Sequence, residues 1–553
     1  MFLKLSQNEL IIIGKYFNTI QDYINLSKTC KNYDIFDRYH FNPIPLDNVT
    51  IKLFPNIQTY HKYDNTKLRN ENDLIISNIK IIDWVTPVEY NERNKNENII
   101  YKCLYYKPDK QLENITIPNE VNILIDDNFK HYTNLTSINI PTSVTKIGER
   151  CFYSCVNLKN INIMNVTKIS ESCFEYCKNL EYINIPSNVK EIDNYCFKDC
   201  YNLENINISS SVTKLGDYCF DMCKKLKNIN VGVKGNIIPL NVKEFGDYCF
   251  MNCMNLKCIS IGTFRNVVTY GNRNVVTYDN STEDVLKFGK GCFAYCSNLK
   301  DINISKNVKE FAEKCFAGCK SLENINIMNV MKDDAQLRSF NSIEGVTKLG
   351  ACCFVCCENL KNINIMNVKE IGGYCFTGCS NLENINISKN VKEFGDYCFG
   401  SCSNLKNINI PTSVTKLGKY CFACCSNLES INIMNVTKLG YGCFENCNNL
   451  ISINIMNVKE INDRCFACCE NLKNINLGAF EGNNIKELTD YCFWNCKNLS
   501  EINISTSVTK LGKGCFINCS NLEYINIMNV KEIGKDCFKG CNKLKNINVL
   551  DRM

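Results

Sequence analysis

The dipeptide Cys-Phe returns sixteen times between Cys151 and Cys537, mostly at intervals of 22 or 23 residues, and each of its cysteines is followed by another four residues later. Thirty-two of the 39 cysteines obey this one rule. An earlier turn, Ile125 to Phe129, carries the phenylalanine without the cysteines and brings the number of turns to seventeen. A unit this short cannot bury an apolar side alone, so the units must stack and share one continuous core. The chain is therefore expected to form a solenoid of about 17 coils, although its 553 residues would suffice for several globular domains.

One unit runs from Leu135 to Asn157. Leu135, Ile138 and Ile140 alternate with polar residues, the period of a strand with one face inward. Ile147 anchors the return. The next position holds Gly148, Ser170, Asp193, Asn462 or Thr489 in different units, residue types that serve as helix N-caps, and a carboxylate such as Glu171, Asp217 or Asp247 often follows it, where it would favour a helix dipole. Two turns of helix would then set Cys151 and Cys155 on one face with Phe152 beside them, ending at Asn157, a residue that tolerates the left-handed cap. The reading is an α/β solenoid with one short parallel strand plus a short helix or turn per repeat. Its core rows include Phe152, Phe174, Phe197, Phe220 and Phe316, with Cys151 and Cys155. Strands roughly 4.8 Å apart give an arc on the order of 80 Å.

Composition narrows the function classes. The 63 basic and 57 acidic side chains leave a net charge of +6, too slight to suggest nucleic acid or an anionic membrane as partner. The apolar run Leu10 to Ile13 is too short for a signal-peptide core, and no run of 18 apolar residues occurs, so a cytoplasmic protein is expected. In a reducing compartment the cysteines stay thiols and pack as small hydrophobes. Sixteen Cys-x-x-x-Cys pairs would otherwise imply a chain of metal ions, and burial accounts for their regularity more simply. Cys352, Cys356, Cys424 and Cys468 break the pairing rule and are expected nearer the surface. The three histidines, His40, His61 and His131, belong to no constellation, and no phosphate-binding motif occurs, so neither catalysis, a metal nor a cofactor is expected.

The position between the two strand isoleucines is Asn in nearly every coil. Asn139, Asn162, Asn184, Asn303 and Asn326 are candidates for a binding face, and so are the more variable neighbours Tyr182 and Tyr524, since Tyr supplies rigid contact at interfaces. The same asparagines at strand spacing can instead bond to one another as a ladder, which is the favoured reading. Insertions lengthen the repeat at about 231–239, 263–285, 329–344 and 478–484. Loops projecting from a regular scaffold are where specificity is usually housed, although neutral expansion of a replicating repeat accounts for them equally well.

The pattern Leu-x-x-Ile-x-Ile-Pro-x-x-Val-x-x-Ile-Gly-x-x-Cys-Phe-x-x-Cys-x-Asn resembles the BspA-like leucine-rich repeat, a short class known from bacterial surface proteins and expanded in amoebae and other protists. The resemblance covers roughly residues 112–549. Cysteine stands where the family usually has Ala before Phe, and the Pro141 or Pro186 turn is often shortened to Met-Asn-Val, as at Met164. A leucine-rich-repeat superhelix implies a binding or adhesive protein without catalysis. Residues 1–40, with Leu5, Leu10, Ile13 and Phe17 at helical spacing, are similar to an F-box but lack its Pro and carry Tyr33 where Trp is common. They are read as a helical cap on the solenoid or, failing that, as a site for a Skp-type adaptor. Residues 41–122 are a degenerate N-terminal region and 123–553 the solenoid. The expected function is a monomeric, non-enzymatic scaffold for protein partners; the alternatives are a substrate receptor of a Skp-cullin ubiquitin ligase and a surface adhesin.

Overall fold

A computed structural model describes residues 20–29, 53–54, 59–61, 80–83, 99–101, 104–105 and 115–119, and the span 121–548 apart from 230–241, 262–263, 271–272, 279–285, 306, 329–342, 344 and 478–484. Through that span the chain winds as a β-solenoid. A coil contributes a strand of two to five residues, such as Ser137–Asn139, and a second strand that has two residues from Lys146–Ile147 onward. Both pair in parallel with the next coil: Ile138 lies opposite Ile161, and Ile147 opposite Ile169. One face of most strands is buried because the isoleucines recur at period two. The first strand reads exposed, buried, exposed in coil after coil.

The third side of the coil corrects the sequence reading. Among the described residues the one α-helix is Ile20–Thr29, and no repeat contains a helix. Gly148 to Asn157 form an arc with two left-handed residues, Arg150 (φ 51°) and Ser154 (φ 60°), and the same two positions recur as Tyr195 with Asp199 and Tyr420 with Cys424. Left-handed backbone costs a residue with a side chain roughly 1–2 kcal/mol. What offsets it is bonding between coils. Arg150, Phe152 and Ser154 donate their N–H groups to the carbonyls of Glu171, Cys173 and Glu175 in the next coil, at 3.0, 2.9 and 2.8 Å. A helix would need those donors within its own turn, and so short a helix gains little against its nucleation cost. The cap assignments change accordingly. A Cβ on Gly440 would lie 2.4 Å from the carbonyl carbon of Gly418, so glycine there permits close approach of two coils. Ser170 and Asn462 fill the same position by bonding to the carbonyls of Ile147 and Leu439 one coil back, each at 2.8 Å. The carboxylates that follow accept across coils instead of serving a helix dipole: Asp217 takes the Asp247 N–H at 2.7 Å and Asp247 that of Lys290 at 2.7 Å.

Asn157 and its counterparts are not left-handed caps either. They form a side-chain ladder at the end of the arc, in which Asn404, Asn427, Asn449, Asn471, Asn498 and Asn521 each donate to the asparagine one coil back, from Asn381 onward, at 2.9 to 3.3 Å. The spacing of 22 or 23 has an equally local origin. In Pro-Thr-Ser-Val coils the Val144 N–H closes a turn on Pro141, whereas in Met-Asn-Val coils the Val166 N–H closes it on Ile163, one residue earlier in the turn.

The interior is built of rows. Seventeen phenylalanine rings from Phe129 to Phe538 stack without interruption, with centroids 5.0–5.6 Å apart and planes within 3–12°. Phe152, Phe174, Phe197, Phe220 and Phe316 are fully buried, as are Cys151 and Cys155. The second cysteine of each pair does more than fill space. Its thiol donates to the phenylalanine carbonyl of the preceding coil in all sixteen pairs, Cys155 to Phe129 at 3.0 Å and Cys402 to Phe376 at 3.2 Å being two of them. The Phe152 carbonyl also takes the Cys155 N–H, so both of its lone pairs are used. Alanine, of similar size, could not make that bond.

Parallel stacking begins before the clear repeats. Thr59–His61, Lys80–Asp83 and Ile99–Tyr101 form a three-stranded parallel sheet, and Leu104–Tyr105 pairs with Val121–Leu124. The F-box-like segment lies mostly outside the described residues. Its described part, the Ile20–Thr29 helix, buries Tyr23 edge-on against Phe54, with centroids 6.1 Å apart.

Candidate interaction surface

The outward face of the first strands carries the predicted binding residues. Asn139, Asn162 and Asn184 are exposed, and Tyr182 is 43% exposed beside them. The Tyr182 hydroxyl accepts from Asn207 Nδ2 at 3.0 Å. Asn303 is half-buried and pairs through the backbone with Asn326, while Tyr524 is half-buried between Glu501 and Asn546. All seven therefore fall on one strand position or the position two residues before it: Asn139, Asn162, Tyr182 and Asn184 in three successive coils, Asn303 and Asn326 in two adjacent ones, and Tyr524 in a later coil. Several column asparagines have a local duty. Asn364, Asn432, Asn454 and Asn526 turn Oδ1 onto the N–H of the methionine two residues on, at 3.1 to 3.3 Å, a side-chain-closed turn that fixes the amide.

That turn exposes what sequence reasoning missed. Met164, Met366, Met434, Met456 and Met528 stand 40–62% exposed at the corner after the first strand. A readable signal existed, since each replaces Pro or Ser in the coils that are one residue shorter. Methionine is apolar and adaptable, suited to surfaces that conform to a partner. All four insertions leave the coil at this same corner, between Ile229 and Val242, Ile261 and Leu286, Met328 and Ile343, and Leu477 and Ile485. The coil then resumes in register, with Lys214 opposite Glu244 and Glu244 opposite Lys287. The insertions at 231–239 and 478–484 lie outside the described residues, as does most of 329–344; within 263–285 a β-hairpin is described.

The rest of the surface offers little chemistry. The second strands pair Lys with Glu across coils, as in Lys438–Glu460 at 2.7 Å and Lys510–Glu487 at 2.8 Å, all solvent-exposed. His131 lies in left-handed backbone with its ring edge-on to Tyr153, 5.5 Å away. Burial pushes most of the core thiols up, Cys249 to about 11 and Cys155 to about 12, so those are held neutral and unreactive. Cys356 and Cys424 are exposed, and Cys352 and Cys468 half-buried. Among the described residues no group of three or more His, Cys, Asp or Glu is placed to hold a metal ion, and no helix is long and apolar enough to cross a membrane.

A parallel solenoid with one main strand per 22- or 23-residue coil and a row of stacked phenylalanines defines a leucine-rich-repeat protein. The model of the BspA type leucine rich repeat region matches residues 98–227, 229–335, 328–451 and 437–553, and the chain belongs to that family. Among solved structures, a leucine-rich repeat protein from Bacteroides ovatus is 24% identical, covering 77% of this chain and 82% of its own, with a TM-score of 0.40. A leucine rich cell surface protein from Faecalibacterium prausnitzii is 22% identical over 67% of this chain and 87% of its own, with a TM-score of 0.35. No curated protein matches the chain.

Proposed function

We propose that this protein is a non-enzymatic scaffold that binds protein partners along the outward face of its first strands and along the adjoining corner. The observation that carries this reading is the convergence of all four insertions and the five exposed methionines on one corner, beside Tyr182 and the asparagine columns. The other two sides of the coil are committed to coil-to-coil bonding and to paired surface charge. A long arc of this kind contacts a partner over many coils without an enclosed pocket. The reading places the protein in the cytoplasm, because sixteen thiol-to-carbonyl bonds require reduced sulfur.

The test compares the partners recovered by the intact chain with those recovered when 263–285 and 329–342 are replaced by short polar turns that keep the buried Ile343, and Tyr182 and Tyr524 become Ala. Loss of specific partners with an unchanged unfolding transition is expected. An unchanged partner set would refute the placement. Removing residues 1–40 in parallel separates a cap, whose loss lowers thermal stability, from an adaptor site, whose loss removes a Skp-type protein.

A further inference from the structure

The second cysteines of the pairs form a row through the core, and fifteen of the sixteen, from Cys155 to Cys519, are buried. Cys541, the sixteenth, is half-buried. Cys519 and Cys541 thus hold equivalent places in adjacent coils but differ in access. A reagent dissolved in water meets Cys541 and stops short of Cys519. The gap between the two is short. The Phe516 carbonyl takes both the Cys519 N–H and the Cys541 thiol, each at 3.1 Å, so the Cys541 sulfur sits against the turn that carries Cys519. The Phe516 and Phe538 rings of the same coils stack at 5.6 Å with planes 7° apart.

Stacked backbones lie about 4.8 Å apart, inside the roughly 4.4–6.8 Å that a disulfide spans between Cα atoms. Equivalent side chains of stacked coils run parallel, so their Cβ atoms are spaced about like the Cα atoms, whereas a disulfide draws them to about 3.8 Å. One coil must therefore approach the other by about 1 Å. The coil of Cys541 has room for this: Ile533 is 51% exposed, and Phe538 and Leu544 are only partly buried. Cys496 and Cys519, by contrast, lie in coils whose phenylalanines are stacked on both sides. The electrostatics separate the two sulfurs further. Cys519 faces Cys541 with its thiol and with its backbone N–H, and these donors hold the Cys541 thiol below the ordinary thiol range although burial opposes them. Burial pushes Cys519 itself up, and so it pushes Cys537, the other thiol on the coil of Cys541, to about 12. No charged side chain among the described residues contributes at Cys541. A half-buried sulfur that ionises beside a buried one that keeps its proton is the arrangement that an attacking and a resolving thiol require.

We propose that Cys541 and Cys519 are a peroxide-sensitive dithiol, which a hydroperoxide converts into a disulfide between adjacent coils. The Cys541 thiolate attacks the outer oxygen of the hydroperoxide; an S–O bond forms, the O–O bond breaks, and the departing oxygen takes a proton from solvent and leaves as an alcohol or as water. Sulfur is oxidised by two electrons in that step. The Cys519 sulfur then displaces the hydroxyl from Cys541; the S–S bond forms, the S–O bond breaks, and the Cys519 proton leaves with the hydroxyl as water. The disulfide gives up the thiol bonds to the Phe493 and Phe516 carbonyls and staples one coil to the next. The inference starts from free thiols and does not depend on which face binds a partner.

The test uses the full chain, reduced, freed of reductant and exposed at neutral pH to stoichiometric hydrogen peroxide. Remaining thiols are blocked, the chain is unfolded and digested, and linked peptides are identified by mass spectrometry. The first disulfide is expected to join Cys519 to Cys541, at least about tenfold faster than any link within the buried rows. Amide exchange from Glu532 to Leu544 should slow at least about tenfold in the oxidised chain and recover with reductant. In Cys519→Ala the Cys541 sulfenic acid should persist and be captured by dimedone, and alkylation of Cys541 should move to higher pH. Cys519→Ser, which keeps a donor but cannot close a disulfide, should return the alkylation profile towards that of the native chain while still accumulating the sulfenic acid. Oxidation elsewhere with Cys519 and Cys541 both left free, a Cys541 linked to a different cysteine in the folded monomer, or an alkylation profile that Cys519→Ala leaves unmoved would each overturn the proposal. None of these outcomes touches the scaffold reading, which is judged by partner recovery.

Discussion

Replacing Phe316 with Ala should open the middle of the solenoid and cost about 4 kcal/mol, within the range for deleting a buried phenylalanine. The structure explains why the cost sits high in that range. Phe316 is fully buried, stacked on Phe293 at 5.6 Å and Phe354 at 5.5 Å, with Phe311 edge-on at 5.1 Å. The rings on either side are held by their own coils, so the site cannot collapse around the void. In a one-dimensional stack the loss weakens two coil interfaces at once. Phe538 offers the control: it is partly buried and stacks on a single ring, Phe516, so Phe538→Ala should cost about half as much by the same cavity argument. Urea unfolding followed by circular dichroism gives the two stabilities, and amide exchange should show protection lost around coils 293–354 first. A cost at Phe316 below about 1 kcal/mol, or equal costs at the two positions, would refute the idea of a stack whose energy is shared between neighbours.

Other consequences are as direct. Because burial raises the core thiols, Cys249 to about 11 and Cys155 to about 12, the folded chain holds protons that the unfolded chain releases above its ordinary thiol range near 9; stability is full below that pH and should fall steeply between about pH 9 and 12, measured by thermal unfolding across the range. At neutral pH a thiol reagent should label Cys356 and Cys424 first among the described cysteines, Cys258, Cys352, Cys468 and Cys541 next, and the fully buried paired cysteines only on unfolding; rapid labelling of the core rows would contradict their placement. Asn449→Ala breaks two rungs of the amide ladder, to Asn427 and Asn471, and should cost about 1 kcal/mol in urea unfolding because the position is half-buried. Arg464→Ala strands the Glu445 carboxylate, bonded at 2.7 Å and largely buried, and should cost about 2 kcal/mol, whereas Lys438→Ala, in an exposed pair, should change stability by less than about 0.5 kcal/mol.

Residue order alone determined the repeat, its register and its core. Identical spacing forces identical coils into stack, so the alternation Leu135, Ile138, Ile140 fixed the parallel strand, and the returning Cys-Phe fixed which rings and thiols are buried. The exposed strand column with Tyr182 was legible for the same reason, as was the corner from which the insertions leave. The nature of the arc was not legible, because its decisive partners lie 21 to 23 residues away. Cys151 and Cys155 four apart read as one face of a helix so long as a coil is considered by itself. In the stack, the N–H groups of Arg150, Phe152 and Ser154 find acceptors in the next coil, and those bonds offset two left-handed residues per repeat that no local preference would choose. The same distance effect moved the amide ladder to the row through Asn427 and Asn449 and left part of the strand asparagines closing their own turns. Sequence periodicity decides which residues face inward; only contact between neighbouring coils decides where each backbone donor and each carboxamide spends its hydrogen bonds.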